Sequence, residues 1–222
     1  MDINFGQIFI SFLVLVFSLT VHESAHAWAA DRLGDPTARA LGRLSLNPLV
    51  HVDPIGTVLF PLVGLLTRAP LIGWAKPVPV ATWRFSRPRR DYLMVAAAGP
   101  ISNLSLAFVA AVALRVLPAS ALAPDLMTGA AAQSIEARLF VPLGHLVWAT
   151  LQINLLLAIF NMLPIPPLDG GTVLAGLLPE RVAVGFDRLR PYGFVLLYAL
   201  LLSGGFSLVV GTPYRYLMTW LL

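Results

Sequence analysis

The feature that most constrains this chain is the way its apolar residues are gathered into long runs, the first of which carries ionisable side chains at its far end. Residues 5–21 are predominantly apolar and uncharged, and a helical pattern continues through His22 to Ala30. About 20 such residues are needed to cross a hydrocarbon core roughly 30 Å thick. The four residues before the run, Met1-Asp2-Ile3-Asn4, contain no Lys or Arg, so the run reads as a retained first span rather than a cleaved signal peptide. Gly34-Asp35-Pro36 then supplies a helix stop and a turn. A chain whose solvent is lipid must satisfy its backbone within helices or a closed barrel. Runs that are bunched rather than alternating exclude the barrel.

Three further runs, residues 92–117, 142–163 and 192–210, are long enough to span. Run 55–66 has about a dozen residues, too few for a comfortable crossing, and is expected to re-enter. Residues 214–222 read as an amphipathic or half-crossing tail. Segments 37–50 and 70–85, rich in Pro and β-branched residues, predict short extended strands at the membrane surface, with Trp74 and Trp83 at the interface. The expected fold is an all-α polytopic membrane protein with about five to six transmembrane helices, a re-entrant segment and short membrane-associated β-strands. It is read as a single domain over residues 1–222, with a core at about 5–180 and a C-terminal span and tail at about 190–222.

Composition agrees. Hydrophobic residues make up 58% and charged residues 12%, against about 45–50% and 25% in soluble domains. The net charge of +4 comes from 15 cations, 14 of them Arg. They sit between apolar runs, so they report topology and not nucleic acid, which is not expected as a partner. Placing residues 32–54, 68–91 and 180–191 on the cytoplasmic side collects 12 of the 15 there. The N-terminus then lies outside, and the ends of spans one and four and the start of span three meet near the cytoplasmic face. Zero cysteine excludes disulfides and thiolate metal ligands.

Each of those converging ends is polar. His22-Glu23-Ser24-Ala25-His26 is an HExxH sequence in a helical context. Positions i and i+4 share a helical face, so both imidazoles can reach one metal ion, and Glu23 lies beside the place of an attacking water. Such residues bordering a span are costly without a purpose or partners. Catalytic zinc takes three protein ligands and a water, and no nearby His or Glu follows His26 in a known zincin spacing. Asp169, after a stretch broken by Pro164, Pro166 and Pro167, is the best remaining carboxylate. On spacing alone it is equally a helix N-cap. Asn103 and Asn161 lie in apolar runs, where an Asn also serves to bridge helices. His51 and Asp53 read as a turn cap before Pro54, with a second metal or gating site as the alternative, and His145 as interfacial.

Taken together, His22-Glu23-Ser24-Ala25-His26, Gly99-Pro100-Ile101-Ser102-Asn103 and Asn161-Met162-Leu163-Pro164-Ile165-Pro166-Pro167-Leu168-Asp169-Gly170-Gly171 resemble the site-2 protease family of intramembrane zinc metalloproteases. Residues 46–57 look like those of its compact bacterial branch, without PDZ or CBS domains. The resemblance implies that His22, His26 and Asp169 bind one catalytic Zn2+, that Glu23 is the catalytic base, and that Asn103 and Asn161 face the substrate or the developing oxyanion. It implies transmembrane protein substrates cut in or near their spans. The expected setting is the bacterial cytoplasmic (inner) membrane, as a multi-pass protein with its active site toward the cytoplasm. A metal-dependent transporter and a catalytically silent scaffold are the alternative readings. The sequence leaves the oligomeric state open.

Overall fold

The computed structural model describes residues 5–67, 73–118 and 135–222. Met1–Asn4, Arg68 and residues 70–72 of the expected strand segment lie outside them. The first span, α1 (Phe5–Arg32), is a single 28-residue helix, about 42 Å long at 1.5 Å per residue. It ends where expected, with Gly34 at φ +107° just past its last turn, a backbone conformation that favours glycine. Phe5, Phe9, Leu13 and Phe17 recur every fourth residue and remain exposed, while Ser18, Thr20, His22, Glu23, Ser24 and His26 are buried. Polar-in, apolar-out is the reverse of a soluble helix and suits lipid as the solvent.

Two more helices, α4 (Pro88–Val116) and α5 (Ile135–Asn161), are long and apolar enough to span, the latter over Leu139–Asn161. α4 is central: it packs against α1, α5 and the short helix α6 (Asp169–Leu177). Ala107, Ala110, Ala111 and Leu114 of α4 meet the fully buried Leu151 and Leu155 of α5. Three alanines on one face let the two backbones approach closely, which is how helices associate when lipid removes the hydrophobic drive.

Between α1 and α4 the chain forms one helical turn, α2 (Thr37–Ala40), then a π-helical stretch (Pro54–Leu59) running into α3 (Phe60–Thr67). This 14-residue piece is about 21 Å long, and it is not among the helices able to cross. After α6 follow α7 (Glu180–Asp187), α8 (Gly193–Leu202) and α9 (Thr212–Leu221). α9 lays Tyr214, Leu217, Met218 and Leu221 against the α4–α5 core.

Two expectations are corrected. Among the described residues there are no β-strands: 37–50 is a helical turn, bends and a 3-10 turn, and 73–81 is extended but joins no ladder. The physical reason lies in its prolines. Pro77 and Pro79 lack N–H, so one edge of the segment loses two successive donors and cannot carry a continuous ladder, while the other edge keeps those of Trp74, Lys76 and Val78. Those donors go to the Gly56 carbonyl, the His51 carbonyl and the Glu23 carboxylate, at 3.2, 2.9 and 3.1 Å. The expected five to six spans are likewise too many for the described residues, in which three helices suffice by length and hydropathy, or four if the C-terminal pair counts as one. The expected span at 192–210 is broken, with an 81° bend between Arg190–Leu202 and Ser207–Leu221. Ser203, Gly204 at φ +76° and Gly205 make that break.

Candidate metal centre

His22 and His26 lie one turn apart on the buried face of α1, and their Nε2 atoms are 3.0 Å from each other. Asp169 reaches them from the first turn of α6, with Oδ2 3.1 Å from His22 Nε2 and Oδ1 3.4 Å from His26 Nε2. The placement of Asp169 depends on the two glycines after it. A Cβ on Gly170 would collide with the Met162 carbonyl, and one on Gly171 would lie 2.7 Å from Pro166 N. Only glycine allows α6 to start so tightly against the proline-broken 162–168 turn. A third glycine closes the other side: a Cβ on Gly99 of α4 would sit 2.5 Å from His26 Nε2 and 2.6 Å from His22 Nε2.

The hydrogen bonds behind the rings set their tautomers. His26 Nδ1 is 2.7 Å from the Val95 carbonyl, which can only accept, so Nδ1 carries the proton. His22 Nδ1 is 2.6 Å from Asn103 Oδ1 and donates in the same way. Both Nε2 lone pairs therefore face each other and a carboxylate, and Asp169 Oδ2 is buried with no hydrogen-bond donor. Three electron-rich groups with ligand atoms all within 4.8 Å and no proton between them repel unless a cation lies among them. The 3.0 Å between the two Nε2 atoms and the 3.1 Å from His22 Nε2 to Asp169 Oδ2 lie near the roughly 3.3 Å edge of a tetrahedron with zinc–ligand bonds of about 2.0–2.1 Å, and the second carboxylate oxygen, Oδ1, is 3.4 Å from His26 Nε2. The donor set, two imidazoles and a carboxylate, also fits zinc.

Glu23 is buried beside His22. Its Oε2 accepts the Val78 N–H of the extended segment. That segment is tied down elsewhere by Arg43, whose buried guanidinium donates to the Pro77 carbonyl at 3.3 Å and to that of Lys76. Its far end is held by Asp35, fully buried at the end of α1, which accepts from Ala81 N at 2.6 Å and from Thr37 N and Oγ1. Burial opposes the ionisation of Asp35, but the bonds from Thr37 and Ala81 and the charge of Arg84 outweigh it and hold its carboxyl below the usual range. His51 lies below, its Nε2 on the Ser45 carbonyl. Burial pushes its pKa down, and the nearby Arg43 adds to this against the Ser45 carbonyl and Glu23. Asp53 caps the π-helical stretch, accepting from Ile55 N and Gly56 N.

Of the residues singled out from sequence, the structure brings His22, His26 and Asp169 into one group, with Glu23 alongside. Asn103 touches His22 from behind. Asn161 is not in the group: its Nδ2 bonds to the Leu157 carbonyl one turn back on its own helix. His145 lies 3.4 Å from Gln7 Nε2. Sequence reasoning passes over Asn154, which is completely buried and bonded to both Asn103 and Ser18. The available signal is an Asn seven residues before Asn161 in the same apolar run.

Residues 10–203 match the model of peptidase family M50. Among curated proteins, YwhC of Bacillus subtilis, a candidate zinc metalloprotease by name, is 38% identical over 191 residues, covering 86% of this chain and 79% of the relative. Rip2 of Mycobacterium tuberculosis, named in the same terms, is 29% identical over 191 residues, covering 84% of this chain and 64% of the relative. No solved structure matches at comparable stringency.

Proposed function

The chain belongs to peptidase family M50, and from that premise we propose that it cuts peptide bonds in or beside the spans of other membrane proteins, with His22, His26 and Asp169 holding one zinc ion and Glu23 as the general base. It is an integral membrane zinc metalloprotease of the intramembrane, site-2 type, acting on membrane-protein substrates. The observation that carries the residue assignment is the convergence of two Nε2 atoms and one buried carboxylate, with both Nδ1 protons already committed elsewhere.

What zinc supplies when bound there is polarisation of the scissile carbonyl and acidification of the attacking water. The chain does the rest. Glu23 takes the water's proton and returns it to the leaving amine, while the Val78 N–H on Oε2 fixes how its carboxylate is turned. Asn103 is better suited to orienting His22 than to contacting an oxyanion. Its oxygen is taken by Nδ1, and its amide hydrogens point to Asn154 Oδ1 and the Ser18 carbonyl, at 2.8 and 3.4 Å. A helical substrate must unwind locally before attack, because its carbonyls are engaged in i→i−4 bonds. The 12 cations in residues 32–54, 68–91 and 180–191 support a cytoplasmic active site, in a bacterial inner membrane.

The test is co-expression of tagged single-span membrane proteins with the wild type or Glu23→Gln. A shortened product with the wild type alone supports the reading. A product with both variants removes Glu23 from the chemistry, and retained metal with no product from any substrate favours a silent scaffold. Transport of a metal that survives Glu23→Gln would favour the transporter reading.

A further inference from the structure

The imidazole of His22 binds a metal through Nε2 only if Nδ1 keeps its proton, and that depends on which end of the Asn103 carboxamide faces the ring. The other contact of the Asn103 amide decides this only weakly: its Nδ2 has the Ser18 carbonyl at 3.4 Å, beyond the usual N–H···O range, so on that contact alone the amide could turn over and offer N–H to Nδ1. The deciding groups are farther away. Asn154 Nδ2 lies 2.9 Å from the Thr150 carbonyl, one turn back on α5, and 2.8 Å from Ser18 Oγ on α1. A main-chain carbonyl can only accept, so the nitrogen end of Asn154 is fixed on that side. Its oxygen therefore faces Asn103, accepting from Nδ2 at 2.8 Å. This turns Asn103 Oδ1 to His22 Nδ1 at 2.6 Å. Asn103 and Asn154 are both completely buried, so no water substitutes for either bond.

We propose that Asn154 is a positioning residue for the metal centre: anchored on the Thr150 carbonyl, it sets the orientation of Asn103 and through it the tautomer that presents His22 Nε2 to the ion. The proposal rests on the metal-centre reading above. The relay joins α1, α4 and α5 through Ser18, Asn103 and Asn154, so the three spans agree on one proton position before any metal arrives. Without Asn154, the Asn103 amide loses its near acceptor and keeps only the 3.4 Å contact with the Ser18 carbonyl, so it turns over, His22 takes the opposite tautomer, and an N–H points into the space among the ligands.

The experiment is cobalt(II) titration of the purified full chain in detergent, followed by its visible absorption, with a competing chelator to obtain the dissociation constant and thermal unfolding measured in parallel. Loss of such outer partners weakens metal binding by about 10–100-fold. Asn154→Leu, of similar shape, is expected to show that loss. Asn154→Ser, whose hydroxyl can bond the i−4 carbonyl but is too short to reach Asn103, is expected to fold and to show it too. Asn154→Asp is the rescue: with its carboxyl protonated by burial, one oxygen accepts from Asn103 while the O–H donates to Thr150 or Ser18. It is expected to bind cobalt within about threefold of the wild type, with the same spectrum. Asn154→Ser binding as tightly as the wild type overturns the proposal. So does Asn154→Asp weakening binding as much as Asn154→Leu in step with lost thermal stability, which marks a structural role alone. A wild type that takes up no cobalt overturns the metal-centre reading itself.

Discussion

Replacing Gly99 with Ala should empty the metal centre while leaving the protein folded. The added Cβ would lie 2.5 Å from His26 Nε2 and 2.6 Å from His22 Nε2 and Cε1, where ordinary contact begins near 3.4 Å. Each ring would have to retreat by about 0.8–0.9 Å, several times the roughly 0.2 Å within which metal–ligand distances are held. α4 cannot yield instead, because Ala107, Ala110 and Ala111 already bring it close against Leu151 and Leu155. Displacement of reacting groups by about 1 Å costs on the order of 100-fold in rate. We therefore expect metal affinity reduced at least about 100-fold and turnover lost with it. The assay is chelator competition for bound zinc, alongside cleavage of a tagged membrane substrate and a thermal melt. Gly185→Ala is the control, since a Cβ there meets nothing within 4 Å, and it should match the wild type or gain slightly in stability. Zinc affinity and turnover in Gly99→Ala within a few-fold of the wild type would refute the reasoning, because the rings would then not occupy the space that the backbone at 99 leaves open.

Three further outcomes are expected. Gly170→Ala, whose Cβ would collide with the Met162 carbonyl, should lower both melting temperature and zinc content by displacing Asp169; a normal zinc content would separate the two. Asp35→Asn, which removes a fully buried carboxylate that accepts from Ala81 and Thr37, should destabilise by about 1.5–3 kcal/mol, read by denaturant unfolding in micelles; no change would mean the end of α1 is held otherwise. Because His51 is held below its ordinary pKa of 6.5, by burial first and Arg43 next, the folded state favours its neutral form. Its contribution is present above about pH 6.5 and is lost as pH falls below that value, so the melting temperature should fall less between pH 7.5 and 5.5 in His51→Gln than in the wild type.

Whether a feature of this molecule is legible in its sequence depends on how far along the chain its partners lie. Gly34 ends α1, and the i, i+4 spacing places His22 and His26 on one face, because both are local consequences of helix geometry. Asp169 is reachable through the scarcity of carboxylates near the apolar runs. The contact between Glu23 and Val78 is not, as it joins positions 55 residues apart through a backbone N–H. The strand expectation at 70–85 reads β-branched residues correctly as extended but gives too little weight to Pro77 and Pro79, which remove two successive donors from one edge. The expected fifth span overlooks what Ser203-Gly204-Gly205 does to an apolar run. Asn154 and Asn161 share a helical face, yet they lie about 10 Å apart along the axis. Which of them meets Asn103 depends on how α5 is seated against α4, and no sequence spacing carries that.

The polarity of α1 has a consequence for which substitutions the molecule can absorb. Phe5, Phe9, Leu13 and Phe17 are exposed, and lipid tails are as apolar as the side chains they touch. Exchanging one of these for another large apolar residue leaves no cavity and breaks no bond, so this outer stripe is free to drift. The small polar residues on the inner side have no such freedom. Ser18, Asn103 and Asn154 are linked by hydrogen bonds in the centre of the bundle, where each lost partner strands another polar atom away from water. Tolerance to mutation in this protein therefore runs opposite to a soluble enzyme's: the aromatic residues are the interchangeable ones, and the serine and asparagines are the residues that must stay.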